Sequence, residues 1–497
     1  MNLPLSGKNP IFRKNRSHSS AARSLVLVVL ILGSIFLYRA VVVQKTLRSP
    51  FDPTPVPTRI SSSYALEGET YFAAGDLISA IQAYQKAVKQ DPNNAGLWSE
   101  LARIQTYSSA SLTTDDDSRK ALNEALDSAN QAVKIAPDDS TAHAVRAFVL
   151  DWNSNPILNP DTSAAMLTEG EQEASHALFL DNQNTLALAY YAEIMVDEQK
   201  WTQAEQKIQL ALKQDPSLMD VHRVDAYVKE NEGNYNDSIN EYIKAAAITP
   251  NLTFLYIRIG ATYRLLQQFD QALNYFTKAA RIEEQLNMKD PIPFIAISKT
   301  YSQMGQFFAA ALNMRKALQL NPNTPEVYGE IGIIYFQSRN YEGAIPALKC
   351  AVKGCPPADS CDVRNCDPQT DPKITIQGMP LTENTVVYYY TYGSVLAAMH
   401  LPADDYCNQA IPILHQVAAA FSSDASIMGI IQPSEEICSN LPGNLTTTTP
   451  GIAITPGPEN TLAPGVPSPT ATENLQATLD SSVDLTATPS LSTAIAP

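Results

Sequence analysis

From Ser61 to Ala358 the chain restates one pattern eight times, at a spacing of about 34 residues. A unit that short is a single pair of helices. It cannot bury its apolar face alone, so neighbouring units must stack on one another. The first unit reads Tyr64, Gly68, Tyr71, Gly75, Ala80, Tyr84, Ala87 and Pro92. Small residues at Gly68, Ala80 and Ala87 suit a close helix crossing, and the aromatics fill the space between helices. Pro92 ends the second helix and resets the chain for the next unit.

Later units keep the register. Leu188, Ala192, Ala204, Ala211 and Pro216 form one set, and Ala226, Tyr235, Tyr242, Ala245 and Pro250 the next. Tyr256, Gly260, Tyr263, Phe269, Ala272, Phe276 and Ala279 follow, then Tyr301, Gly305, Ala310, Ala317 and Pro322, then Tyr328, Gly332, Tyr335, Ala344, Ala351 and Pro356. The pattern resembles the tetratricopeptide repeat (TPR). The resemblance implies an all-α fold, a right-handed superhelix of helix pairs with a concave surface that holds another protein.

Two units are longer. The second sets Trp98 and Leu101 against Ala125, Ala132 and Pro137, with an insertion from Ser108 to Ser118 between them. The third pairs Ala147 and Leu150 with Ala174 and Ala177 across a polar loop from Asn153 to Ser163, and Asn182 stands in for the closing proline. Insertions in a solenoid map to one face, so these two are expected side by side, either as plain loop growth or as a lip on a binding surface. A ninth helical pair is expected from Thr385 to Phe421, followed by a helix from Asp424 to Ser439 that caps the open apolar end. Pro346 and Pro412 fall within second helices and predict a kink or, for Pro412, a late helix start.

The expected organisation runs as a basic cytoplasmic segment (1–23), a transmembrane signal anchor (24–43), a Pro-rich spacer (44–62), eight TPR units (61–358), a Cys-containing insertion (359–384), the ninth pair with its cap (385–440) and a Thr/Pro-rich disordered tail (441–497). Ser24 to Val43 is apolar but for Arg39, and as a helix it covers about 30 Å, the thickness of a bilayer core. Lys8, Arg13, Lys14, Arg16 and Arg23 precede it without an acid, which orients the N-terminus to the cytoplasm and the repeats outward. A cleaved signal peptide is the rival reading, without a clear small-x-small cleavage site. Pro50, Pro53, Pro55 and Pro57 make the spacer stiff and extended. From Leu441 onward Thr, Pro, Ser, Ala and Gly dominate with no Lys, Arg or aromatic residue, a composition of disorder or of an O-glycosylated stalk. The net charge of −16 speaks against nonspecific nucleic-acid binding.

The six cysteines, Cys350, Cys355, Cys361, Cys366, Cys407 and Cys438, lie in the C-terminal third. An even number in an extracytoplasmic segment fits disulfides. Cys350 is placed on the last turns of a second helix with Cys355 just past its end, Cys361 and Cys366 in a Pro/Asp-rich loop, and Cys407 at a helix start opposite Cys438 in the cap. The pairing expected is Cys350–Cys355, Cys361–Cys366 and Cys407–Cys438, one of fifteen combinations. Zinc at the first four is the alternative, although their C-x4-C-x5-C-x4-C spacing is unlike compact zinc sites.

No HExxH, phosphate loop or Ser-His-Asp arrangement stands in a suitable context. His143 and His222 occupy the packing position of Tyr64 and Tyr256, and Asp115, Asp116 and Asp117 lack the spacing of a calcium loop. No enzyme activity, cofactor, metal or small-molecule ligand is expected. The resemblance implies that the concave wall is built from first helices and offers Glu69, Phe72, Arg103, Phe148, Glu193, Arg223, Tyr227, Ile257, Arg258, Arg264, Lys299, Phe336 and Tyr390. Arg258, Arg264 and Lys299 gather basic charge suited to an acidic partner segment, or are solvated face charges. The expected function is a membrane-anchored, extracytoplasmic scaffold for an envelope protein or peptide. The alternative is a structural surface protein that self-associates through its repeats.

Overall fold

The computed structural model describes residues 21–40, 60–367, 369–401 and 405–439. The basic residues before Ala21, the spacer and the tail lie outside them. Two units result, Met1–Arg59 and Ile60–Pro497. In the first, α1 (Ala21–Tyr38) is an 18-residue helix, long and apolar enough to cross a membrane, with none of its residues buried.

The second unit is an α-solenoid of antiparallel helix pairs. They run α2 (Ser61–Ala74) with α3 (Leu77–Gln90), α4 (Ala95–Ser109) with α5 (Asp115–Ile135), α6 (Ser140–Asn153) with α7 (Ser163–Leu180), and α8 (Thr185–Asp197) with α9 (Trp201–Gln214). Next come α10 (Met219–Asn231) with α11 (Tyr235–Ile248), α12 (Thr253–Leu265) with α13 (Phe269–Gln285), α14 (Ile292–Gln303) with α15 (Phe307–Leu320), and α16 (Pro325–Gln337) with α17 (Tyr341–Val352). The repeated small residues are where helices cross. A Cβ on Gly68 would lie 2.5 Å from the Tyr84 ring, and one on Gly260 2.5 Å from Phe276. Gly75 closes α2 with φ of 83°, and Asp76 then caps α3 by accepting from the Ser79 amide.

After α17 the chain forms β1 (Gly354–Cys355), α18 (Pro357–Arg364) and β2 (Ile376–Gln377), with β1 and β2 antiparallel and Gly354 opposite Gln377. α19 (Val386–Ala398) and α20 (Cys407–Ala420) make the ninth pair, and α21 (Ala425–Ser439) covers its end. Disulfides join Cys350 to Cys355, Cys361 to Cys366 and Cys407 to Cys438. Cys361 lies on α18 and not in a loop, because Pro357 can open a helix and Asn365 closes it in the left-handed region, with φ of 56°. Pro412 delays nothing, since α20 starts at Cys407.

The first insertion also differs from expectation. Most of it is absorbed into longer helices, leaving only 110–114 as connection. Asp115, Asp116 and Asp117 form the first turn of α5, where acids favour the helix dipole, and Thr114 caps it by accepting from the Asp117 amide. The second insertion packs against this start, where Arg119 donates to the Leu158 carbonyl at 2.7 Å.

The coil returns on itself. A Cβ on Gly75, in the first repeat, would lie 2.2 Å from the carbonyl oxygen of Asn251, which precedes α12. Asn321 donates to Thr113 at 3.2 Å, and the Thr113 and Thr324 hydroxyls stand 3.4 Å apart.

Candidate binding surface on the inner face

The first helices of the second to sixth repeats point into a shared interior. The Tyr107 ring of α4 stacks on Phe254 of α12 at 5.3 Å and lies 5.2 Å from Phe148 of α6. Phe148 in turn stacks on Tyr190 of α8 at 4.4 Å. Burying rings alone would be simple, but α8 and α10 also carry acids inward, and a buried charge needs a partner. Asp220 accepts from Arg103 at 3.1 Å, from Tyr190 at 2.6 Å, and from Tyr107. Arg223 donates to both oxygens of Glu193 at 2.6 Å, which also accepts from the Trp152 indole at 3.2 Å. Tyr227 donates to Asp197 at 2.5 Å.

Burial alone would push Asp220 up, but the guanidiniums of Arg103 and Arg223 hold it below the usual carboxylate range. Asp151 and Asp197 move the other way. Burial and then the neighbouring Asp197 raise Asp151, while burial raises Asp197 against the hydrogen bond from Tyr227, with Glu193 adding to the rise. The interior is therefore an aromatic and ionic plug, with Asp220 and Glu193 paired to arginines and Asp151 and Asp197 pushed toward their neutral form.

This decides where the expected wall residues stand. Phe148, Glu193, Arg223 and Tyr227 are 0%, 1%, 4% and 2% exposed, and Arg103 is largely buried with them. They fill the axis of the coil, and do not line an open channel, because the coil turns tightly enough for α4 to face α10. Tyr107, Trp152, Tyr190, Asp197 and Asp220 are partners that the repeat pattern does not announce. The signal that could have found them is an acid placed among apolar residues of a first helix, as at Asp197 and Asp220.

Phe72 of α2 joins the plug, its ring 6.4 Å from Tyr107 and 4.8 Å from the Arg103 guanidinium, and Ile257 is buried in the same hydrophobic core. The remaining expected residues stand elsewhere. Glu69 is exposed beside a cleft lined by Ala65, Leu66, Tyr84 and Leu97. Arg258 pairs with Glu230 at 2.7 Å, and Lys299 with Glu330 at 3.2 Å. Arg264 lies 5.9 Å from the centre of the Phe276 ring. Phe336 is half-buried beside Tyr341, and Tyr390 is 1% exposed with its hydroxyl unpartnered among the described residues. Arg264, Lys299 and Phe336 thus form the partly open stretch of the expected wall.

Two histidines hold acids in matching places. His143 lies 2.5 Å from Glu173 and His222 2.7 Å from Glu241, each with its other nitrogen on a proline carbonyl six residues earlier. They are structural ties between the helices of a pair.

Family models described as TPR or tetratricopeptide repeats match residues 68–105, 255–286 and 295–359. The matched stretches fall on helix pairs in the observed register. The chain is a tetratricopeptide-repeat protein. Over 257 residues, 45% of this chain, it is 22% identical to Superkiller complex protein 3 of Mus musculus, and the match spans 16% of that protein's length. Among solved structures, yeast Tom70 aligns at 14% identity over 80% of this TPR chain and 79% of its own, with a TM-score of 0.42. A tetratricopeptide-repeat protein from Parabacteroides merdae aligns at 17% identity over 55% of this chain and 98% of its own, with a TM-score of 0.33. A TPR stack presents extended surface for protein contact, and that is the general role the repeats assign.

Proposed function

We propose that this TPR protein is a non-enzymatic scaffold, anchored by α1 with its repeats on the extracytoplasmic side, that holds an extended segment of an envelope protein. The observation that carries the reading is a fully disulfide-paired set of cysteines in the body that follows an apolar helix. Disulfides persist in oxidising compartments, and a helix of this length and composition suits an anchor that leads there. Because the interior of the earlier repeats is filled, the partner is held along the later ones, at Arg264, Lys299 and Phe336. An acidic partner segment would compete with Glu330 for Lys299 and add charge to Arg264. Anchoring raises the effective concentration, so modest affinity suffices.

A photocrosslinker at position 264 of the full chain, in its own host membranes, tests this. One envelope protein should be trapped, and substituting Lys299→Glu should reduce its yield. Absence of any adduct above an unmodified control would sink the proposal. Self-association is a second reading, favoured by Phe308 and Leu312 on α15, which are 86% and 48% exposed. Sedimentation of the full chain in detergent decides it, since a self-associating chain grows heavier with concentration.

A further inference from the structure

The seam where the coil meets itself has an unusual composition. On one side stand the connection 110–114 and the first turn of α5. On the other stand the end of α13, the connections 286–291 and 321–324, and the first turn of α16. Hydrogen bonds hold it at Thr113, which meets Asn321 and Thr324. The rest of the seam is carboxylic acid. Glu283 is 3% exposed, and among the described residues both its carboxyl oxygens are buried without hydrogen-bond partners, as is one oxygen of Glu326. Asp290 is 9% exposed and accepts from the Ile292 amide at 2.8 Å, with Ser111 of the opposite side against it.

The charges that face these acids are mostly of the same sign. Asp290 and Glu283 face each other, with the Thr253 hydroxyl beside Glu283. Glu326 faces Asp115, Asp116 and Asp117 across the seam. Arg119 is the nearby cation, and it is committed to Asp116 at 2.7 Å and to the Leu158 carbonyl. Lys289, next to Asp290, is exposed. Glu283 and Asp290 are buried and Glu326 half-buried, and acids so placed, with no cation against them among the described residues, are tolerable when neutral and costly when ionised.

We propose that this seam is a latch, closed while Glu283, Asp290 and Glu326 carry protons and released as they ionise, so that alkaline conditions let the coil loosen. Burial and then Glu283 push Asp290 up to about 8, while burial and then the three aspartates push Glu326 up to about 7. Burial raises Glu283 as well. Once the seam opens, water returns each group toward the ordinary range near 4. The closed form therefore binds more protons than the open one, and closing weakens as pH rises through the acid range toward the higher of the two values. Loosening would give a partner access to the inner face. That consequence rests on the scaffold reading, whereas the latch itself does not.

The test is hydrogen exchange on the purified full chain in detergent, without any partner, from pH 5 to 9, after correcting for the intrinsic pH dependence of exchange. The amides of Ser111, Leu112 and Val327, hydrogen-bonded to the carbonyls of Ser108, Ser109 and Thr324, should lose at least about ten-fold protection relative to α11, because each proton released on opening changes the opening equilibrium about ten-fold per pH unit. The variant Glu283→Gln/Asp290→Asn/Glu326→Gln should flatten the profile. Protection in the wild type that stays level across this range overturns the proposal, as does an undiminished loss in the variant. If the triple variant lacks native helical content, Asp290→Asn and Glu326→Gln are measured singly. Each should remove part of the pH dependence, and full retention in both overturns the latch. A failed crosslinking experiment at position 264 leaves these outcomes unchanged, so the two ideas fail independently.

Discussion

Asp220 answers one arginine and two tyrosines of the interior at once. Asp220→Ala leaves Arg103 and two phenols without their common acceptor. A loss of about 3–5 kcal/mol is expected, as when one partner of a buried pair is removed. Denaturant unfolding of the full chain in detergent measures it, and a change below about 1 kcal/mol would show that water replaces the carboxylate freely. Two glycines offer a contrast in mechanism. Gly260→Ala sets a methyl 2.5 Å from Phe276, a ring that is itself 0% exposed and has nowhere to move. Overpacking of this kind costs about 1–3 kcal/mol. Gly233 has φ of 80° but open space around it, so Gly233→Ala should cost only the backbone strain of about 1–2 kcal/mol. A thermal melt that ranked Gly233→Ala as the worse of the two would contradict the packing argument.

Among the elements, α21 depends on what ties it down. Ile427 and Ile431 face inward, and Cys438 joins it to Cys407 at the start of α20, closing a loop across a sequence separation of 31. Loop-closure entropy assigns such a bridge about 2–4 kcal/mol. Cys407→Ser/Cys438→Ser should therefore expose 425–439 to protease before the earlier repeats are cut, detectable by mass spectrometry of the first fragments. Simultaneous cutting throughout would mean that the cap and the stack unfold as one. Elements are also where the sequence is most readable. Gly68, Ala80 and Tyr84 mark a helix crossing by their spacing, and Cys407 and Cys438 mark the tie. Local competition is harder to read. Asp115 to Asp117 look like a solvated loop, yet Thr114 and the helix dipole turn them into the first turn of α5.

For the whole molecule, the balance of buried acids sets how stability responds to pH. Asp225 is pushed by burial to about 6, Glu326 to about 7 and Asp290 to about 8. Unfolded, all three release their protons near 4, so above that the folded chain binds more protons and its stability falls as pH rises toward 8. Glu241 acts in the opposite sense. Burial opposes ionisation there, but His222 and Lys244 hold it down at about 2, a contribution present above about 4.5 and lost as pH falls toward 2. The melting temperature at constant ionic strength should therefore peak in mildly acidic solution and decline from pH 5 to 8. A rise over that interval would refute the sign.

The repeat period, the small and aromatic positions and the closing prolines determined by themselves that this chain makes helix pairs, and which residues pack within each pair. Those contacts join residues about one helix apart, so local spacing encodes them. Whether Arg103 meets solvent or Asp220 is a different kind of question, since 117 residues separate them. Its answer is the accumulated rotation of several helix pairs, each a small angle set by side-chain volumes at one interface. Only the tertiary structure sums those angles. The sum turns an expected open groove into a filled interior, and it brings the acids of Asp290 and Glu326 under a connection that the linear order leaves far away.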